Sequence, residues 1–306
     1  MSVVGGGSSD SKGDSWAQKT ADAGFTGNFH ASAYSSDVSN VAYMLGGTTG
    51  GTSIIQIAPG IDGWADQTDL AAMVATFGLA YGNSLFVGVG ADSTTMPAIQ
   101  SSANGTAFSS VSISVTADGG QFNDIATDGS DFIVVGTVSV DSVSSGIILD
   151  GNGVTFTERT FATGTQFTAA GYGGGVWMVG GVGALGTSPD RASWTSRTYP
   201  SAITQIEAFA FDGDSTWIVA GVGGIAKSTN SGATWSMVYA SGPFFAAEWT
   251  GSHFVVAGNS GLIVASEDAD SWDLQTTIGT TNFRTLTVGA GYVIAAGFGG
   301  DIQISR

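Results

Sequence analysis

A unit of roughly forty residues recurs seven times along the chain, and this repeat limits the fold more than any other feature. An apolar residue, usually Phe, opens a short alternating stretch at Phe29, Phe77, Phe122, Phe167, Ile206, Phe245 and Phe283. The gaps between them are 48, 45, 45, 39, 39 and 38 residues. After a polar turn, each unit has a second run led by an aromatic: Tyr43, Phe86, Phe132, Trp177, Trp217, Phe254 and Tyr292. Most of these runs end in small residues, as in Phe132-Ile-Val-Val-Gly136 and Trp217-Ile-Val-Ala-Gly221. A third short run follows, such as Gly146-Ile-Ile-Leu149 or Gly261-Leu-Ile-Val-Ala265. A Ser/Asp/Asn/Gly turn then leads to a last aromatic: Trp16, Trp64, Phe108, Phe156, Trp194, Trp235 and Trp272.

Four short β-rich runs per unit, with turn chemistry between them and almost no helical periodicity, predict a blade of four antiparallel strands. Seven such units in one series predict an all-β, seven-bladed β-propeller. The blades fall at residues 29–72, 73–117, 118–162, 163–201, 202–241, 242–279, and 280–306 together with 1–20, all within one domain spanning 1–306. The seventh unit runs out of chain at Arg306 after three strands, and a spare turn and aromatic stand at the other terminus. Sharing a blade between the two termini removes an open sheet edge, so an N-terminal strand is expected to complete the C-terminal blade.

Composition narrows the function. The chain has 8 basic and 25 acidic residues, a net charge of −17, which leaves no basic surface to bind nucleic acid. With no Cys, disulfides and thiol chemistry are excluded. The uncharged runs Leu70–Ala91 and Thr160–Pro189 are broken by Gly and polar residues and coincide with the repeat, so no membrane span is expected. The opening MSVVGGGSSDSKGDSW has no basic segment followed by an apolar one, so no signal peptide is expected either.

The turns before the last aromatics carry a family resemblance. Ser228-Thr-Asn230-Ser-Gly232-Ala-Thr234-Trp235 resembles the Asp-box, or BNR repeat, Ser-x-Asp-x-Gly-x-Thr-Trp. Ser188-Pro-Asp190-Arg-Ala-Ser193-Trp194 and Ser266-Glu-Asp268-Ala-Asp-Ser271-Trp272 are similar but one residue shorter. The turns at 102–108 and 150–156 are more degenerate, Ser8–Trp16 is longer, and Ala58–Trp64 keeps little beyond the Trp. The resemblance implies outer turns between the third and fourth strands, in which Asp190, Asn230 and Asp268 bind backbone N–H groups, Gly232 takes positive φ, and Trp194, Trp235 and Trp272 pack on the blade. A calcium role for Asp10, Asp190 or Asp268 is disfavoured, because single carboxylates in separate turns do not supply six to eight oxygens.

Asp-box propellers include sialidases, and that resemblance would imply three converging arginines with a Tyr–Glu pair. Of the five arginines, Arg191 lies in a turn, Arg159 and Arg197 fall on outer strands, Arg306 is terminal, and only Arg284 is near an inner strand. The sialidase constellation is therefore absent. A two-carboxylate glycoside hydrolase on Asp124, Glu207 or Glu248 is the remaining enzymatic alternative. His30 and His253 are the only histidines; two distant histidines give no metal spacing, and His253 is expected in an exposed turn. No cofactor and no metal are expected.

One residue after the openers stands a chemically mixed column: His30, Gly78, Asn123, Thr168, Glu207, Ala246 and Arg284. From it, His30, Asn123, Asp124, Glu207 and Arg284 are expected to rim one mouth of the central channel and to meet a partner or ligand. The expected function is non-catalytic: a rigid disc presenting loops to other virion or cell-surface proteins, or to a glycan. Low Lys, absent Cys and richness in Gly, Ser, Thr and Ala resemble tailed-phage virion proteins, so a virion location is expected, with an extracellular or cytoplasmic location as the alternative. An extracellular glycan-binding protein or hydrolase is the alternative function. The repeat also resembles the seven-bladed photosystem assembly factors, which dock through a basic patch that this chain lacks.

Overall fold

Each repeat becomes one blade because its middle strands are apolar on both faces and must be covered on both sides. In the computed structural model, which describes residues 16–20, 26–39, 43–49, 52–67, 73–161, 166–275 and 279–306, the second strand of the sixth blade, Phe254–Gly258, is buried at every position. That strand is sandwiched between the neighbouring sheets. Seven four-stranded antiparallel sheets result. Six are sequential meanders with inner strands Asn28–Tyr34, Met73–Gly82, Gly119–Thr127, Phe167–Gly173, Gln205–Phe211 and Phe244–Trp249.

The seventh sheet joins Phe283–Gly289, Tyr292–Gly297 and Asp301–Ser305 to the N-terminal strand Ala17–Thr20, which pairs Ala17 with Ile304 and Thr20 with Asp301. The chain thus closes as its repeat count requires. Residues 1–15, including the Ser8 turn and Asp10, lie outside the described residues.

Apolar clusters lie between blades rather than within them. Phe29, Tyr43 and Leu45 of the first blade pack with Ile294, Ala296 and Ile302 of the seventh, so the core runs across the closure. Trp16 packs with Val255 and Ile263 of the sixth blade, carrying the terminal strand into the same ring of contacts. The described residues of the two long uncharged runs form strands and turns of this ring, and among the described residues no helix is long and apolar enough to cross a membrane.

A small defect repeats in every inner strand. Pairing with the second strand skips one residue between Phe29 and Ala31, Thr76 and Gly78, Phe122 and Asp124, Phe167 and Ala169, Ile206 and Ala208, Phe244 and Ala246, and Phe283 and Thr285. These are β-bulges, which re-aim the skipped side chain. Opposite each bulge, the residue paired with the last regular inner position is glycine: 47, 90, 136, 181, 221, 258 and 297. A Cβ at Gly221 would stand 2.0 Å from the Gln205 carbonyl oxygen, and one at Gly47 would stand 1.9 Å from that of Asn28. The small-residue tails of the second strands are therefore a steric requirement of the bulges.

The bulges also correct two positions of the sequence alignment. In the second and sixth blades the buried residue before the bulge is Thr76 and Phe244, whereas Phe77 and Phe245 are the skipped residues and only partly buried. The column facing the axis is thus His30, Phe77, Asn123, Thr168, Glu207, Phe245 and Arg284, with Phe77 and Phe245 replacing Gly78 and Ala246. His253 is corrected as well: it is 4% exposed, with Nδ1 3.0 Å from Ser252 Oγ and 3.2 Å from Thr250 Oγ1.

Candidate functional site

The seven bulged residues converge on one axial cavity of about 430 Å³, lined by inner strands of all seven blades. All five expected rim residues, His30, Asn123, Asp124, Glu207 and Arg284, line it, as do Thr168 and Glu248. The structure adds aromatics to this lining, Phe77 and Phe245 from the ring and Phe209 beside them, while Phe298, from the turn after the second strand of the seventh blade, packs against Arg284 and His30.

Two ring members tie blade to blade. Asn123 Nδ2 donates to the Phe167 carbonyl (2.7 Å), and its Oδ1 accepts from Gln121 Nε2 (2.7 Å). Thr168 Oγ1 donates to the carbonyl of Ile206. Each bond therefore reaches the buried residue that precedes the next blade's bulge. One position deeper, Asp124 accepts the backbone N–H of Ile125 on Oδ1 and that of Ala170 on Oδ2, both at 2.8 Å. Ser32 bonds Thr285 Oγ1 (2.5 Å) and the Leu286 carbonyl (3.0 Å), linking the first blade to the seventh.

The rest of the ring is less constrained by the fold. Glu207 accepts Gln205 Nε2 on Oε1 (2.7 Å). His30 sits edge-on to Phe77 and Phe298, with centroids 5.3 and 5.9 Å away. The Arg284 guanidinium carbon lies 3.6 Å from the ring centroid of Phe245 and 4.8 Å from that of Phe298.

Low solvation sets the charge states. Burial, opposed by the N–H groups of Ala170 and Ile125, pushes the Asp124 carboxyl up to about 7. Burial likewise raises Glu207 to about 7, against the pull of Arg284 and with a smaller push from Asp124. Glu248 rises to about 7 through burial and the nearby Asp124, despite a bond from the Trp249 N–H. Burial, and secondarily Arg284, lowers His30 to about 4, so at neutral pH its imidazole is uncharged. The cavity therefore combines a guanidinium and neutral aromatics with three carboxyls poised to exchange protons near neutrality.

The outer turns form a separate set. Asp190 Oδ1 accepts the N–H groups of Ser193 (2.7 Å) and Ala192 (3.0 Å), the former bond leading the effects that hold its carboxyl down at about 2. Asp268 accepts from Ser271 and Asp270 at 2.8 Å, and Asn230 accepts from Thr234 at 2.9 Å. Gly232 has φ of +77°, and the Trp235 and Trp194 indoles donate to the carbonyls of Gly232 and Arg191, both at 3.0 Å. Trp272 packs beside the cluster between the fifth and sixth blades. Arg191 reaches Asp131 (2.5 Å) and Asp150 (2.9 Å) of the preceding blade. Among the described residues, no group of three or more His, Asp or Glu side chains is placed to hold a metal ion.

No protein-family model and no curated protein matches the chain. Its likeness is to solved propellers. It resembles a structure described as "YCF48 bound to D1 peptide", with 15% identity and a TM-score of 0.67, covering 95% of this chain and 94% of that one. It also resembles the WD40 β-propeller domain of Doa1, with 9% identity and a TM-score of 0.69, covering 96% of each chain. At these identities the likeness is one of fold.

Proposed function

We propose that the chain is a non-catalytic interaction module that docks a protein partner over the face bearing the bulged ring. The observation that carries this reading is the ring itself. Seven bulges repeat one backbone device, yet they aim six kinds of side chain at the axis, only Phe recurring. A buried layer serving packing alone favours uniform apolar residues, whereas a mixed layer suits recognition. Asp124 is occupied on both oxygens by backbone N–H groups, which suits a structural tie better than acid–base work. The similar YCF48 structure, described with a bound peptide, supports a protein as the partner.

We place the module in a virion, as a tail or capsid-surface component, on its composition: few Lys, no Cys and 48 Gly. The outer turns support membership of the Asp-box repeats, since Asp190, Asn230 and Asp268 make the backbone bonds that this motif implies. A net charge of −17 favours a basic partner surface. Imaging the native assembly tests the docking face: covered strand-connecting loops on the ring side are expected, and a disc whose ring side is bare refutes the reading. Affinity for the captured partner should fall as salt rises, and a salt-insensitive complex contradicts the charge argument.

One observation favours a second reading, glycoside hydrolysis. Glu207 and Glu248 are raised to about 7, the range of a general acid. A glycan array with a hydrolysis readout separates the two. Turnover abolished by Glu207→Gln establishes the hydrolase, and bound but unchanged glycans exclude it.

A further inference from the structure

Arg284 is the least satisfied charge in the cavity. Its guanidinium lies over the rings of Phe245 and Phe298, neither of which can accept an in-plane N–H hydrogen bond. Among the described residues it forms no hydrogen bond and no ion pair, and its Nε is sealed from solvent without an acceptor. Glu207 is close enough to exert a pull on it but does not close a salt bridge. Arg284 is partly exposed as a residue, but its Nε is a buried donor left unpaired, which is costly. A planar fork held between aromatic faces is the arrangement that accepts a carboxylate through two parallel hydrogen bonds.

We propose that the axial cavity is a binding site for a carboxylate-bearing ligand with an apolar body, the carboxylate paired to Arg284 and the body against Phe77 and Phe245. The volume of about 430 Å³ lies within the range of small-ligand sites. The anion meets little opposing charge where it enters, because His30 beside it is neutral and burial favours the protonated forms of the carboxyls across the cavity. The ionisable groups facing the bound anion are His30, Asp124, Glu207, Glu248 and Arg284, one from each of five inner strands. This inference does not depend on the protein-docking reading, since a free acid satisfies it.

The test is calorimetric titration of the full chain with sodium phenylacetate and sodium acetate, against sodium chloride. A blocked peptide whose only charge is one Asp side chain forms a further arm. Saturable phenylacetate binding, tighter than acetate, is expected. Arg284→Gln should weaken it by about tenfold or more, the scale of a lost charge-assisted pair, and Arg284→Lys by less, since the charge survives without the fork. Phe245→Leu should weaken phenylacetate without changing the charge. Wild-type affinity should improve from pH 8 to pH 6 as Glu207 and Glu248 take up protons, a trend that a merely structural Arg284 would not produce. Binding of the free acids but not the peptide identifies a small-molecule ligand, and tighter binding of the peptide identifies an acidic side chain of a partner. Should Arg284→Gln fail to fold, the Lys and Leu variants and the ligand-induced rise in wild-type Tm carry the test. Absence of saturable binding in every arm, or equal affinity in wild type and Arg284→Lys together with Phe245→Leu, overturns the proposal.

Discussion

A single buried carboxyl shows how the cavity trades stability for chemistry. Glu248 titrates near 7 in the fold but near 4.5 in the unfolded chain. Between those values the folded state keeps a proton that the unfolded state has released, so stability falls as pH rises from 4.5 to 7 and then levels off. Glu207 and Asp124 act in the same direction. His30 acts in the other: the unfolded imidazole takes a proton below 6.5 and the folded one only near 4, so stability is lost as pH falls through that window. Glu248→Gln should therefore raise stability above pH 7 by about 1–3 kcal/mol, with little change below pH 4.5. Denaturant unfolding of both proteins at pH 4.5 and pH 8 measures this. An equal effect at the two values would show that packing, not ionisation, dominates at this residue.

At the level of the strand, the unit that matters is the bulge with its facing glycine. Gly221→Ala would drive a methyl to 2.0 Å from the Gln205 oxygen, and neither backbone can yield without undoing the bulge beside Glu207. The expected cost is on the order of 2–4 kcal/mol, at the severe end for a point substitution. Gly60→Ala, with nothing within 4 Å of the added carbon, should be neutral within about 0.5 kcal/mol. Thermal unfolding compares the two, and similar Tm values would mean that the second-strand glycines have another origin. The same element marks where the sequence stops being legible. Blade number, strand order, closure and five of the cavity residues follow from repeat spacing and turn chemistry. A bulge leaves no trace in a period of two, however, and Phe244-Phe245 offers two equivalent openers; Thr76-Phe77 misleads because the buried member is the polar one. One slip hid that Phe77 faces the axis beside His30, and the other that Phe245 lies over Arg284. Phe298 was hidden for a different reason: it packs against Arg284 and His30 from a turn, and no strand alternation reports on a turn.

Across the whole molecule, stability comes from a ring that must be closed. Each sheet is covered by its two neighbours, so losing one edge uncovers apolar surface on the blades beside it. The N-terminal strand Ala17–Thr20 completes the seventh blade, and Trp16, 6% exposed, is buried against the sixth. Removing residues 1–20 would strip the hydrogen-bonding partner from Asp301–Ser305 and open the pocket that holds the indole. Burying a side chain of this size contributes about 2–3 kcal/mol, before the lost strand pairing is added. A large fraction of a marginal folding free energy would then be gone, and a bare strand edge would be offered to other copies. The truncated chain should melt at least about 10 °C lower than the full one. It should also self-associate as concentration rises, read by calorimetry with light scattering. If instead it melts with the full chain and stays monomeric, closure is held by the inter-blade contacts of Phe29 and Tyr43 with Ile294 and Ile302 alone, and the terminal strand is dispensable.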